Sequence, residues 1–138
     1  MSTLERAIEL AVQYHKGQTD KAGEPYILHP LRVMLRCQGA EAQMVAVMHD
    51  LLEDTPVTSE MLVQEGFSAD VLRALEGVTR RSDESYQQFV HRAKADPVAR
   101  QVKLADLEDN MDVRRLKRVT PKDAERLQRY RESWQALQ

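Results

Sequence analysis

The segment His49-Asp50-Leu51-Leu52-Glu53-Asp54 constrains this chain more than any other. It follows the apolar run Met44-Val45-Ala46-Val47-Met48, and Leu51 and Leu52 interrupt its charges. Helical spacing therefore places ionisable groups inside a buried helix read over Ala42 to Asp54. A buried carboxylate without a partner costs several kcal/mol even after its surroundings relax. A divalent cation is the most economical partner for an adjacent His and Asp, so further ligands have to reach this point from elsewhere in the chain.

Apolar residues recur at helical spacing almost throughout. Thr3 to Lys16 carries Leu4, Ala7, Ile8, Ala11 and Val12 and stops at Gly17; Gln18 to Pro25 reads as a loop. Pro30 suits the first turn of a helix running to about Gln38. Thr55-Pro56 ends the acidic helix, Thr58 or Ser59 caps a short one ending at Gly66, and Ser68 caps the next. After a basic-polar loop over Thr79 to Glu84, helices are read over Tyr86 to Lys94 and Val98 to about Lys117. Thr120-Pro121-Lys122-Asp123 is a cap with proline at the first position of the last helix. No stretch alternates with period two. The expectation is an all-α bundle of seven or eight helices forming one domain over residues 1–138.

Bulk properties narrow the function. Lys and Arg number 20 against 22 Asp and Glu, a net charge of −2, which argues against a general nucleic-acid or membrane-surface binder. No apolar run approaches the roughly 20 residues needed to cross a bilayer, and the N-terminus lacks a signal-peptide pattern. The single Cys37 cannot form an internal disulfide; it reads as a packing residue in a reduced, cytoplasmic setting. The oligomeric state, including a homo-oligomer, is left open.

Two more candidate ligands stand in apolar helical contexts: His29, before Pro30, and Asp106, in Val102-Lys103-Leu104-Ala105-Asp106. With His49 and Asp50 they make two imidazoles and two carboxylates, whose charge matches a divalent cation. Mixed nitrogen and oxygen ligation suits manganese, iron or zinc, and magnesium less well. Taken alone, each is an ordinary polar position, and Asp106 could equally pair with Lys103 or Arg114. On a continuous helix His49 and Asp50 diverge by about 100°, so a shared ion has to lie between their directions. Glu53 and Asp54 fall four residues beyond His49 and Asp50, on the same faces one turn on. Carboxylates there can orient a water or take its proton. The bland alternative, a solvated helix end, sets two acids against the helix dipole.

Taken together, four ordered stretches resemble the HD-domain phosphohydrolase superfamily, and within it the hydrolase domain of the RelA/SpoT family and the small alarmone hydrolases. They are His15-Lys16-Gly17-Gln18, Gly23-Glu24-Pro25-Tyr26-Ile27-Leu28-His29-Pro30, His49-Asp50-Leu51-Leu52-Glu53-Asp54-Thr55, and Val102-Lys103-Leu104-Ala105-Asp106 with Asn110. The resemblance implies a divalent cation, manganese by preference, on His29, His49, Asp50 and Asp106, with Glu53 and Asp54 as the catalytic acid pair. It implies that Asn110 contacts the nucleotide sugar, that Lys21 lies near the base, and that Arg126 and Tyr130 approach the phosphates and sugar. The expected partner is a small purine nucleotide and the expected reaction is removal of the 3′-pyrophosphate from a guanosine tetraphosphate-type alarmone. The chain ends at Gln138 without the family's synthetase domain, so hydrolysis without synthesis is expected.

Two positions depart from the family pattern: Asp20 stands where the family has an arginine that stacks on the purine, and Val113 where it often has a threonine. They keep alternatives open: an adenosine alarmone hydrolase, a nucleotidase releasing orthophosphate, or a catalytically silent nucleotide sensor. Of the remaining polar groups, Arg80-Arg81 is either a phosphate contact or a surface pair. His15 reads as structural, His91 as solvent-facing, and Trp134 and the methionines as core.

Overall fold

Side-chain caps open most of the helices. The computed structural model describes residues 1–138. Thr3 Oγ1 accepts from the Arg6 amide at the start of α1 (Leu4–His15). Pro30 lies in the first turn of α2 (Leu28–Leu35), as expected from its fixed φ. After α3 (Ala40–Met48) and α4 (Leu51–Asp54), Thr58 caps α5 (Ser59–Gln64) and Ser68 caps α6 (Ala69–Gly77). Ser85 and Gln88 form a reciprocal capping box on α7 (Tyr86–Lys94), and Asp96 caps α8 (Pro97–Asn110). A 3₁₀ turn over Val113–Arg115 leads to α9 (Pro121–Ala136), where Thr120 and Asp123 form a second capping box. The only strand-like pairing is one isolated bridge between Thr19 and Pro25. The fold is all-α, and no helix is long and apolar enough to cross a membrane.

The centre of the bundle is α3, whose Val45, Ala46, Val47 and Met48 are fully buried. A helix apolar on every side has to be covered on every side, and α1, α2, α6 and α8 pack around it. Cys37 is buried beside this core, where burial pushes its thiol up to about 11, in keeping with a packing role. A smaller cluster of Val90, Leu107 and Leu137, with Tyr86, Tyr130 and Trp134 against it, forms where α7, α8 and α9 meet. Met34 and Met48 are core residues, whereas Met1 is fully exposed.

Two expectations need correction. The helix read over Ala42 to Asp54 is broken. The His49 amide bonds the Ala46 carbonyl at 3.3 Å and the His49 ring Nδ1 bonds the same oxygen at 2.6 Å. That oxygen is the one a continuous helix would offer to the Asp50 amide. The chain turns at Asp50 (φ −100°, ψ −1°) and resumes as α4, with the Asp54 amide on the Asp50 carbonyl at 2.9 Å. The helix read from Val98 to Lys117 stops at Asn110. Asp112 then accepts from the Arg114 amide at 3.2 Å and grips the Arg114 guanidinium, which opens the 3₁₀ turn. No glycine or proline marks this stop.

Candidate metal centre

The break between α3 and α4 brings His49 and Asp50 to the same point: His49 Nε2 lies 3.1 Å from Asp50 Oδ2. The first turn of α2 delivers His29, and α8 delivers Asp106. Asp106 Oδ1 is 2.9 Å from His29 Nε2 and 3.3 Å from His49 Nε2, and His29 Nε2 is 3.9 Å from Asp50 Oδ2. Ligand atoms of His29, His49 and Asp50 lie within 4.8 Å of one another, a spacing that could hold a metal ion. The four expected residues, drawn from three separate stretches, therefore converge. His49 Nε2 provides the test of fit. It is buried and makes no hydrogen bond, although two carboxylate oxygens lie within 3.3 Å. They are close enough but misaligned for an N–H donor, an arrangement that suits a lone pair and two carboxylates aimed at one shared cation.

Each of the four groups has a further partner, on the far nitrogen for the two histidines and, for Asp50, on the same oxygen that faces His49. His49 Nδ1 donates to the Ala46 carbonyl, so the bond that breaks the helix also leaves Nε2 as the free nitrogen. His29 Nδ1 lies 2.7 Å from Asp109 Oδ2. The Tyr26 hydroxyl donates to Asp50 Oδ2. Lys103 Nζ donates to Asp106 Oδ2 at 3.0 Å and the Asn110 amide to Asp106 Oδ1 at 3.1 Å. The Lys103 ammonium also lies 4.8 Å from the centroid of the Phe89 ring.

These contacts set the charges. Burial pushes the His49 imidazolium down, but Asp50 and Asp106 more than reverse this and hold it well above the usual histidine range; a cation between them would take the place of the Nε2 proton. Burial disfavours the Asp106 carboxylate, and Lys103, His49 and His29 overcome that to hold it well below the carboxylate range. Asp109 is pushed up by burial and brought to about 2 by His29 and Arg32.

A cavity of about 650 Å³ opens over this cluster. Lys21, Glu53, Asn110, Arg126 and Tyr130, all expected near the substrate, line it together with Arg80. Glu53 Oε1 accepts from the Arg80 amide at 2.6 Å. Partial desolvation raises the Glu53 carboxyl, the Arg80 amide lowers it, and the charges of Asp50 and Asp54 raise it again. Asp54 is absent from the cavity wall and faces an adjoining shallow pocket shared with Glu53, Arg80 and Arg81. The two acids at the end of α4 are accommodated by capping: Gln18 Nε2 donates to the Asp54 carbonyl and Thr55 Oγ1 to the Leu51 carbonyl.

Arg126 is paired to Asp123 within α9. Asp20 Oδ1 accepts from the amides of Ala22 and Glu24 at 2.9 and 3.0 Å, so this carboxylate closes the loop that carries Lys21. His15 is buried with Nδ1 2.8 Å from Gln18 Oε1, and His91 is exposed. Tyr26 and Asp109 are partners that the sequence did not assign, whereas Lys103, one of the two residues expected to pair with Asp106, does so. Each stands three residues from a ligand (Tyr26 before His29, Lys103 before Asp106, Asp109 after it), and for the two on α8 that spacing was a usable signal.

Comparison with known proteins follows the same lines. A family model described as "HD domain" matches residues 7–133. The chain is 36% identical over 120 residues to guanosine-3′,5′-bis(diphosphate) 3′-pyrophosphohydrolase of Aquifex aeolicus, a match covering 78% of this chain and 17% of that protein. It is 35% identical to the zebrafish (Danio rerio) guanosine-3′,5′-bis(diphosphate) 3′-pyrophosphohydrolase MESH1, covering 94% of this chain and 78% of the relative. The bifunctional (p)ppGpp synthase/hydrolase SpoT of Escherichia coli is 40% identical over 83 residues, 56% of this chain and 11% of that protein. The chain thus spans less than a fifth of the length of the long bacterial relatives. A solved structure described as a metazoan ortholog of SpoT that hydrolyzes ppGpp superposes with a TM-score of 0.80 at 21% identity, covering 97% of this chain and 84% of that one, so the fold is shared. On the family match over most of its length, the chain belongs to the HD domain family.

Proposed function

We propose that this chain is a metal-dependent 3′-pyrophosphohydrolase of guanosine tetraphosphate-type alarmones, with residues 1–138 acting as one catalytic domain. The observation that carries the proposal is the convergence of His29, His49, Asp50 and Asp106 beneath a cavity whose wall bears Glu53. The names of the relatives at 35–40% identity support the choice of substrate.

In this reading His29, His49, Asp50 and Asp106 hold a divalent cation, manganese by preference. Bound there, the cation supplies Lewis acidity toward a phosphoryl oxygen and makes a neighbouring water more acidic. Glu53 takes the proton of the attacking water. One of its oxygens is held by the Arg80 amide, and its carboxyl is raised by partial desolvation and by the charges of Asp50 and Asp54, which favours accepting a proton near neutral pH. Asp54 acts through that charge. The water oxygen bonds to the phosphorus attached to O3′, the P–O3′ bond breaks, and O3′ takes up a proton, giving pyrophosphate and the 5′-diphosphate. Lys21, Arg126 and Tyr130 orient the nucleotide from the cavity lining, and Asn110 contacts the sugar while steadying Asp106.

Asp20 favours a second reading. Its carboxylate is consumed by two backbone amides and provides no cation over a purine, so an adenosine alarmone is the alternative substrate of the same machinery. The test is a nucleotide panel incubated with Mn²⁺. Release of pyrophosphate from guanosine 3′,5′-bis(diphosphate), lost in His49→Ala, is the expected result. Orthophosphate release, preference for the adenosine analogue, or tight binding without product would each replace the proposal.

A further inference from the structure

Asp109 is fully buried on α8, and nothing in the reaction uses it. Its two oxygens have different partners. Oδ2 faces His29 Nδ1 at 2.7 Å. Oδ1 accepts from Arg32 Nε at 2.8 Å, and the guanidinium groups of Arg115 and Arg36 stand at 3.7 and 3.9 Å from the same oxygen. Arg32 lies three residues after His29 on α2, as Asp109 lies three after Asp106 on α8. Two helical faces thus present His29 with Arg32 against Asp106 with Asp109.

We propose that Asp109, braced by Arg32, is the positioning residue that fixes the tautomer of His29 and so turns a lone pair of Nε2 toward His49, Asp50 and Asp106. The inference rests on reading those residues as a cation site. A neutral imidazole carries its proton on one nitrogen only, and a carboxylate facing Nδ1 accepts and cannot donate. Nε2 faces a second carboxylate, Asp106 Oδ1 at 2.9 Å; a cation held there would exclude a proton from Nε2, and the one proton of the neutral ring then stays on Nδ1, against Asp109. Carboxylate partners of this kind orient ligand histidines, and their loss costs about 10–100-fold in metal affinity.

Arg32 makes the proposal specific. In Asp109→Asn the arginine still donates from Nε and demands an oxygen at the Oδ1 position. The side-chain amide then presents its NH₂ to His29 Nδ1, which becomes an acceptor, and the proton moves to Nε2, the nitrogen the cation needs. A shape-preserving substitution thus produces the wrong tautomer. Arg32 is the one guanidinium within hydrogen-bond distance of that oxygen, Arg115 and Arg36 standing at 3.7 and 3.9 Å, so removing it as well allows the amide to turn its oxygen back toward His29.

The experiment is Mn²⁺ titration of the full chain followed by electron paramagnetic resonance, with imidazole ¹⁵N shifts recorded on the Zn²⁺-loaded protein and helix content followed by circular dichroism. Asp109→Asn is expected to weaken Mn²⁺ binding by about 10–100-fold with helix content intact, and Arg32→Met with Asp109→Asn to recover most of that loss. The wild-type spectrum is expected to show His29 protonated at Nδ1. Unchanged Mn²⁺ affinity in Asp109→Asn, or no recovery in the double variant, overturns the proposal while leaving the hydrolase reading intact. If Asp109→Asn does not fold, the wild-type spectrum decides: a proton on His29 Nε2 overturns it. Wild-type protein that binds no Mn²⁺ overturns the hydrolase reading and this inference with it.

Discussion

Lys103 buries its ammonium against Asp106 at the lining of the cavity. Its side chain and that of Asp106 are each about a tenth exposed, with Nζ 3.0 Å from Asp106 Oδ2. Lys103→Met keeps the length and the aliphatic contacts with Phe89 while deleting the charge. Removing one member of a buried ion pair costs about 3–5 kcal/mol, since the surviving charge is stranded. Asp106 retains His29 and Asn110 on its other oxygen, so the lower limit applies, about 3 kcal/mol. For a chain of this length that is a fall in Tm of about 10 °C. The loss should be full in chelator and roughly halved in saturating Mn²⁺, because a cation on Asp106 replaces the missing positive charge. Differential scanning calorimetry of both proteins in EDTA and in Mn²⁺ measures this. A fall below about 2 °C in EDTA, within what a surface substitution gives, would refute the assignment of Lys103 as the counter-charge. An equal fall in both buffers would refute the claim that Asp106 meets the cation.

Three further outcomes are expected. Glu53→Ala should lower turnover by about 10²-fold or more while Mn²⁺ stoichiometry, read by atomic absorption, stays that of the wild type. Gly77→Ala places a Cβ 2.8 Å from the Ala99 Cβ, between α6 and α8, and should destabilise by about 1–3 kcal/mol in urea unfolding; an unchanged midpoint would mean that these helices part easily. Glu84 is held at about 2, chiefly by its hydrogen bonds to Arg92, against an ordinary value of 4.5. A carboxyl depressed on folding contributes stability above its unfolded pKa and loses it as pH falls, here from about pH 5 toward pH 2. Glu84→Gln should flatten that part of the acid-unfolding curve, monitored by circular dichroism, and leave the curve above pH 6 parallel to the wild type.

The helix starts were legible because caps are local chemistry: Thr3, Ser68 and Thr120 each satisfy an amide three residues on, and Pro30 and Pro121 fit the first turn. The stops were less legible. No breaker separates Asn110 from Lys117, and α8 ends there because Asp112 turns to Arg114. The convergence of His29, His49, Asp50 and Asp106 was legible too, since charged groups repeated inside apolar runs need a common partner. Asp54 shows the limit of such spacing. It follows Asp50 by one helical turn, with its amide on the Asp50 carbonyl at 2.9 Å, yet its side chain lines the shallow pocket.

Residue order alone thus determined an all-α bundle, where its helices begin, and which two imidazoles and two carboxylates have to meet, because burial of charge permits few arrangements. Tertiary structure alone decided how they meet. Asp109 comes from α8 to hold His29 on α2, Tyr26 reaches Asp50, and α8 carries Asp106 to within 3.3 Å of His49. The pairings between elements far apart in the chain depend on distances of about 3 Å that exist only after α2, α3 and α8 have packed.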